Sequence, residues 1–221
     1  MRPRFAGVVW DVDGVLVDSE PLHFAAMVAV LGGHGLAYDA AENARWVGKG
    51  LGEIWEGIPG LAAAGLTFEG LLAKWIARYV ARADSTLARP PAPAIVADLA
   101  RRGVPQAAAS SSPRAIVEAN LRAAGVAGHL VAALACEDVA RSKPAPDLYL
   151  AAVARLGLPA TACLAIEDTE TGVAAARAAG LTVLAWPNAM TREMDFSAAD
   201  AVLDDLAQFD WARIRGGETL G

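Results

Sequence analysis

Two cysteines, Cys136 and Cys163, are the only thiols in a chain of 221 residues. This excludes a disulfide-stapled scaffold and a cysteine-rich zinc module, both of which need more ligands at short spacing. The pair is expected to serve as small apolar residues in a reducing compartment, which points to the cytoplasm. No block of lysine and arginine is present and the formal net charge is −6, which argues against a general affinity for nucleic acid or anionic membranes. Long apolar runs are missing too: the one that follows the N-terminal arginines is interrupted by Asp11 and Asp13 within a strand length, so neither an export signal nor a membrane span is expected. Internal repeats and low-complexity tracts are likewise absent. The partner left by these exclusions is a small molecule, and the chain is expected to act as a monomer. An acidic balance still admits a phosphorylated substrate, because a metal and one or two placed cations decide the local field.

What is plentiful is apolar surface. Hydrophobic residues make up 55% and charged residues 20%, a composition that buries itself. This length suits one good-sized core, or one core with a small inserted module.

The apolar run from Phe5 to Trp10, closed by Asp11 and the Gly14 turn, reads as a strand buried on both faces. From Asp18 the pattern becomes helical. Asp18 or Ser19 can cap a helix with Pro21 in its first turn that stops near Gly32-Gly33. Phe68, Leu71, Leu72, Trp75, Ile76, Tyr79 and Val80 form the clearest helical stripe. Trp46, Trp55 and Trp75 read as packing residues rather than a stacking platform. Arg89-Pro90-Pro91-Ala92-Pro93 then reads as a stiff return connector. Beyond it, helices and strands alternate over 95–185, with Gly125, Gly157 and Gly180 where helix C-caps belong. Such alternation predicts an α/β fold with a Rossmann-like parallel sheet and helices on both faces. An all-helical segment is inserted after the first strand.

Four short segments put chemistry at the ends of these strands: Asp11-Val12-Asp13-Gly14, Ser110, Lys143-Pro144 and Glu167-Asp168. Ligands of open parallel sheets bind beyond the carboxyl ends of the strands, so residues distant in sequence can converge there. Asp11 and Asp13 would project together from extended backbone, and two such carboxylates repel unless a hard cation intervenes. Each segment alone has an ordinary reading. Acids at strand ends are often caps or turn residues, and Ser112-Pro113 is a common helix start, with Ser112 as N-cap and free N–H groups suited to phosphate oxygens. A loop lysine usually solvates a surface. Their consistent order favours one metal-assisted phosphate site.

At Asp11-Val12-Asp13-Gly14-Val15-Leu16-Val17-Asp18-Ser19-Glu20, Ser110-Ser111-Ser112, Ser142-Lys143-Pro144-Ala145-Pro146-Asp147 and Glu167-Asp168-Thr169-Glu170-Thr171-Gly172 the chain resembles the haloacid dehalogenase superfamily, and within it the β-phosphoglucomutase-like phosphatases with a helical cap. The resemblance runs from about Val8 to Pro187. It implies an α/β core over 1–17 and 88–221 and a cap over 18–87. It also implies that Asp11 is a nucleophile and Asp13 a general acid and base, with Ser110 and Lys143 holding the phosphoryl group. Magnesium would be bound by Asp11, the Asp13 carbonyl and Asp168, with Glu167 nearby. Ser111, Ser112, His23 and Lys49 are further substrate-side candidates, His23 as a positioner of Asp13 and Lys49 from the segment Gly48-Lys49-Gly50-Leu51. Both also have plain readings as surface residues. Superfamily members that cleave carbon–halogen bonds lack an acid at the position of Asp13, so dehalogenation is not expected. True β-phosphoglucomutases carry Gly-x-Ser-Arg where this chain has Gly48-Lys49-Gly50-Leu51, which places phosphatase ahead of phosphosugar mutase. Lys74 and Arg78 keep the mutase open as an alternative clamp, and a non-catalytic binding module is the reading from another class.

Overall fold

The computed structural model describes residues 5–46, 49 and 51–214. In chain order its elements are β1 (Gly7–Trp10), α1 (Glu20–Gly32), α2 (Ala40–Ala44), α3 (Leu51–Gly57), α4 (Phe68–Val80), α5 (Ala92–Arg101), β2 (Gln106–Ala109), α6 (Arg114–Ala123), β3 (Ala132–Leu134), α7 (Asp147–Leu156), β4 (Cys163–Glu167), α8 (Glu170–Ala178), β5 (Thr182–Ala185) and β6 (Ala201–Val202). The chain divides into two compact units, Met1–Asp18 with Asp84–Gly221, and Ser19–Ala83.

The first unit is built on a six-stranded sheet in the order β3-β2-β1-β4-β5-β6, with every neighbouring pair parallel. The expected α/β class is thus the one observed. Strands β1, β2 and β4 are buried at every residue, as continuous apolar or small-residue runs in a covered sheet require. Connections run outward from β1 to β2 and β3, then return across the sheet to β4 and continue to β5 and β6. Right-handed crossovers in opposite directions put α5 and α6 on one face and α7 and α8 on the other. The α7–α8 face packs Val9, Ala107 and Ala165 of the strands against Leu148, Tyr149, Val173 and Ala176. β6, two residues long, is too short to show a period in sequence.

The opposite face carries a polar contact. Trp10, fully buried, donates its indole N–H to Gln106 Oε1 at 2.9 Å, and Gln106 Nε2 donates to the Val96 carbonyl on α5 at 2.9 Å. The Trp10 ring also stacks on Trp211, with centroids 5.6 Å apart. Gly157 ends α7 in the left-handed region at φ +68, the conformation a residue with Cβ resists. Burial pushes the Cys163 thiol up to about 11, in keeping with an unreactive packing residue.

The helical unit is held by α1 against α4. Thr67 caps α4 by accepting the Gly70 N–H at 3.0 Å, and Leu71, Trp75 and Tyr79 are the buried positions of the expected stripe. Ser19 stands at the N-cap of α1, but its hydroxyl makes no capping hydrogen bond; Pro21 and the turn of the chain start this helix instead. Among the described residues no helix is long and apolar enough to cross a membrane.

Replacing Gln106 by Met keeps the volume but leaves the Trp10 N–H without its acceptor in a dry interior. A loss of about 1–3 kcal/mol is expected, read as a lower urea midpoint with unchanged slope.

Candidate active site

The strand order reverses between β1 and β4, the switch point beyond which open parallel sheets place their ligands. Asp11 follows β1 directly and is pinned by its N–H donating to Ile166 O at 3.0 Å, so its side chain emerges beside Glu167 and Asp168. Ligand oxygens of Asp11, Glu167 and Asp168 all lie within 4.8 Å of one another. All three side chains are buried. Lys143 enters between two of them, with Nζ 2.5 Å from Asp11 Oδ1 and 2.6 Å from Glu167 Oε1. Its side chain is only 6% exposed, so it is a buried ion-pair partner and not a solvating loop lysine.

Glu167 is otherwise satisfied by protein donors. The Tyr149 hydroxyl donates to its Oε1, and the Asp168 N–H and Thr169 hydroxyl donate to its Oε2 at 3.2 and 3.4 Å. Asp168 is different. Its Oδ2 accepts from Asn188 Nδ2 at 2.7 Å, whereas Oδ1 is buried with no hydrogen-bond partner. A buried orphan acceptor is costly, and an oxygen-only donor set with surplus negative charge is what a hard divalent cation takes up. The residues present therefore fit a metal ion.

Glycine makes this crowding possible. A Cβ on Gly14, which has φ +85, would lie 2.0 Å from Asp168 Oδ2, and one on Gly172 would lie 2.0 Å from Glu167 Oε2. Burial, then the Glu167 carboxylate, raises the Asp11 carboxyl well above its ordinary value despite the opposing Lys143. Burial, then Asp11 and Glu167, does the same to Asp168, with Arg89 opposing. For Lys143, burial pulls the ammonium down, but the fields of Asp11 and Glu167 together reverse this and leave it raised. Tyr149 is held protonated by burial and by Glu167.

Asp13 belongs to a separate group of contacts. Its Oδ2 accepts from Ser110 Oγ at 3.0 Å and Ser112 Oγ at 2.8 Å, and its Oδ1 from Asn120 Nδ2 at 2.9 Å. Its carboxylate lies outside the three-acid cluster, so metal contact from Asp13 would have to come from its main-chain carbonyl. The expectation that Ser112 caps α6 is corrected. Pro113 precedes the helix without a side-chain cap, and the Ser112 hydroxyl goes to Asp13. The helix start is not open either: the Arg114 N–H meets both Glu137 carboxylate oxygens at 3.0 Å, and the Ser112 N–H meets Ser110 Oγ at 3.0 Å. A carboxylate already meets the positive end of this helix.

Ser111 is exposed and its hydroxyl accepts from Ser142 Oγ at 2.8 Å. His23 and Lys49 belong to the helical unit. There the His23 ring stacks on Trp75 and Tyr79 with centroids 5.0 and 4.3 Å away, and the exposed Lys49 lies 3.6 Å from Glu53. Gly48 and Gly50 lie outside the described residues. Lys74 is engaged locally, 2.7 Å from His34 Nε2. Asn120, Tyr149 and Asn188 escaped the sequence reading. Asn120 and Tyr149 look like ordinary helix residues, whereas Asn188 follows the carboxyl end of β5 and the rule that selected Asp168 could have found it.

Residues 5–180 match the family model described as haloacid dehalogenase-like hydrolase. The chain is 35% identical to the fructose-1-phosphate phosphatase YqaB of Escherichia coli (strain K12), over 82% of this chain and 96% of that one. It is 36% identical to protein CbbY of Rhodobacter capsulatus, over 90% and 93% of the two. Among solved structures, CbbY from Rhodobacter sphaeroides in complex with xylulose-(1,5)bisphosphate superposes with a TM-score of 0.83 at 27% identity, covering 93% of this chain and 96% of that one. An acid cluster at the switch point of a parallel sheet, a family model spanning most of the chain and relatives matched nearly end to end lead to one assignment: the chain belongs to the haloacid dehalogenase-like hydrolase family.

Proposed function

We propose that this chain is a magnesium-dependent phosphomonoester hydrolase that acts on a small phosphorylated metabolite, with sugar phosphates as the favoured class, through an aspartyl-phosphate on Asp11. The observation that carries the proposal is the buried Asp11–Lys143–Glu167 contact beside the orphan oxygen of Asp168. The sugar-phosphate class is supported by relatives named for fructose 1-phosphate and solved with a xylulose bisphosphate. The assignment of 18–87 as a cap is part of the same proposal and rests on the resemblance.

A carboxylate oxygen of Asp11 attacks phosphorus, the bond from phosphorus to the ester oxygen breaks, and Asp13 gives that oxygen a proton. Water then yields a proton to Asp13 and attacks the same phosphorus, which breaks the bond to Asp11 and releases inorganic phosphate. Lys143 holds the Asp11 carboxylate in place and offsets phosphoryl charge. Ser110, Ser112 and Asn120 all donate to Asp13 and hold its carboxylate in place for these proton transfers. Asp11, Asp168 and Glu167 would hold the magnesium ion, which when bound offsets charge between these carboxylates and the phosphoryl oxygens.

The test is phosphate release over a panel of phosphorylated metabolites. Asp11→Asn is expected to lower the rate by roughly 10⁴-fold or more, and equal rates in parent and variant would remove Asp11 from its role. Interconversion of glucose 1- and 6-phosphates without net phosphate release would favour the mutase.

A second prediction concerns the metal-free protein. The raised folded-state values of Asp11 and Asp168 mean that the unfolded chain gives up these protons first. Stability is then greatest below the ordinary carboxyl value and falls as pH rises towards the folded values. Saturating magnesium is expected to flatten this slope of thermal midpoint against pH. Asp168→Asn should raise the metal-free midpoint near neutrality and abolish the gain from magnesium; a lower midpoint with the gain intact would contradict the cluster as a cation site.

A further inference from the structure

Arg89 is a half-buried cation whose guanidinium meets main-chain carbonyls and an indole ring. Its Nη1 donates to Gly14 O and, at 3.3 Å, to Trp186 O, while Nη2 donates to Pro187 O at 3.0 Å. The guanidinium carbon lies 3.4 Å from the centroid of the Trp186 ring. Its own N–H donates to Leu16 O at 3.0 Å, next to the antiparallel bridge between Val17 and Ala88. One side chain thus ties the loop after β1 to the loop after β5.

Both tethered loops touch the same carboxylate. Gly14 closes on Asp168 Oδ2 so tightly that a Cβ would stand 2.0 Å from it. Asn188, next after Pro187, donates to that same oxygen at 2.7 Å. With Oδ2 fixed between these walls, Oδ1 is the oxygen left without a protein partner. We infer that Arg89 is a positioning residue: by clamping Gly14 and Trp186-Pro187 it orients the Asp168 carboxylate and so sets the affinity of the acid cluster for a divalent cation. This rests on the reading above that the cluster takes magnesium.

Charge and geometry act in opposite senses here. The positive charge of Arg89 opposes an arriving cation, so losing the charge alone would tighten binding, whereas losing the clamp would weaken it. Arg89→Lys separates the two, because an ammonium keeps the charge but cannot fan across three carbonyls or lie flat on an indole.

The experiment is calorimetric titration of magnesium into the parent, Arg89→Lys and Arg102→Lys. Arg102 is the internal control. It donates to Trp211 O at 3.0 Å and to Ile214 O, but it follows α5 at the amino end of the sheet, opposite the site. About ten-fold weaker binding is expected for Arg89→Lys, with no change for Arg102→Lys even where its thermal midpoint falls. Arg89→Gln is the second variant, and weakening there would show geometry prevailing over the lost charge. No binding by the parent would overturn the magnesium reading itself. Parent-like or tighter binding by Arg89→Lys, or equal weakening in Arg102→Lys, would overturn the inference and leave the magnesium reading standing.

Discussion

A single ammonium between two buried carboxylates organises the α/β unit. Lys143 cannot lie dry without partners, and Asp11 and Glu167 cannot lie side by side without a cation, so each requires the other. Unit charges about 4 Å apart interact by roughly 4 kcal/mol at the effective dielectric of a protein. Adding Asp168 to the group leaves three acids against two nearby cations, Lys143 and Arg89. The surplus is chemical information: the cluster of Asp11, Glu167 and Asp168 could hold a further positive charge.

The sheet makes that concentration possible. Asp11 and Glu167 are far apart in sequence, but β1 and β4 are adjacent, with Trp10 in register with Ile166, and both strands end at the same level. The chain reaches β4 only after building β2 and β3 on the other side. Consequently the acids emerge at the switch point of the sheet, where open parallel sheets place their ligands. Glycine does the rest at two points, because Gly14 and Gly172 occupy places where any Cβ would collide with a site carboxylate. Asp13 takes a different set of partners, the donors Ser110, Ser112 and Asn120.

Much of this was legible in the chain. Alternating apolar segments pointed to the parallel sheet, because a strand buried on both faces is mostly apolar, with Gln106 and Glu167 the buried polar exceptions in β2 and β4. Acids placed where those segments end pointed to the site. What escaped was carried by single polar residues inside helices and loops, such as Asn120 within α6 and Tyr149 within α7. Their periodicity is that of any helix residue, and only the fold shows that they face Asp13 and Glu167. Ser112 was misread for a similar reason: a serine before Pro113 has the local chemistry of a cap, and a carboxylate about a hundred residues earlier in the chain outcompeted the helix for its hydroxyl.

The sequence by itself determined which residues carry charge and on which strand ends they stand, because hydrophobic period and turn chemistry are local. Only the tertiary structure decided their pairing: Lys143 with Asp11 and Glu167, the serines with Asp13, Arg89 with the carbonyls beside Asp168. Hydrogen bonds and ion pairs depend on separations of a few ångströms, and such separations between distant segments exist only once the sheet has brought them together.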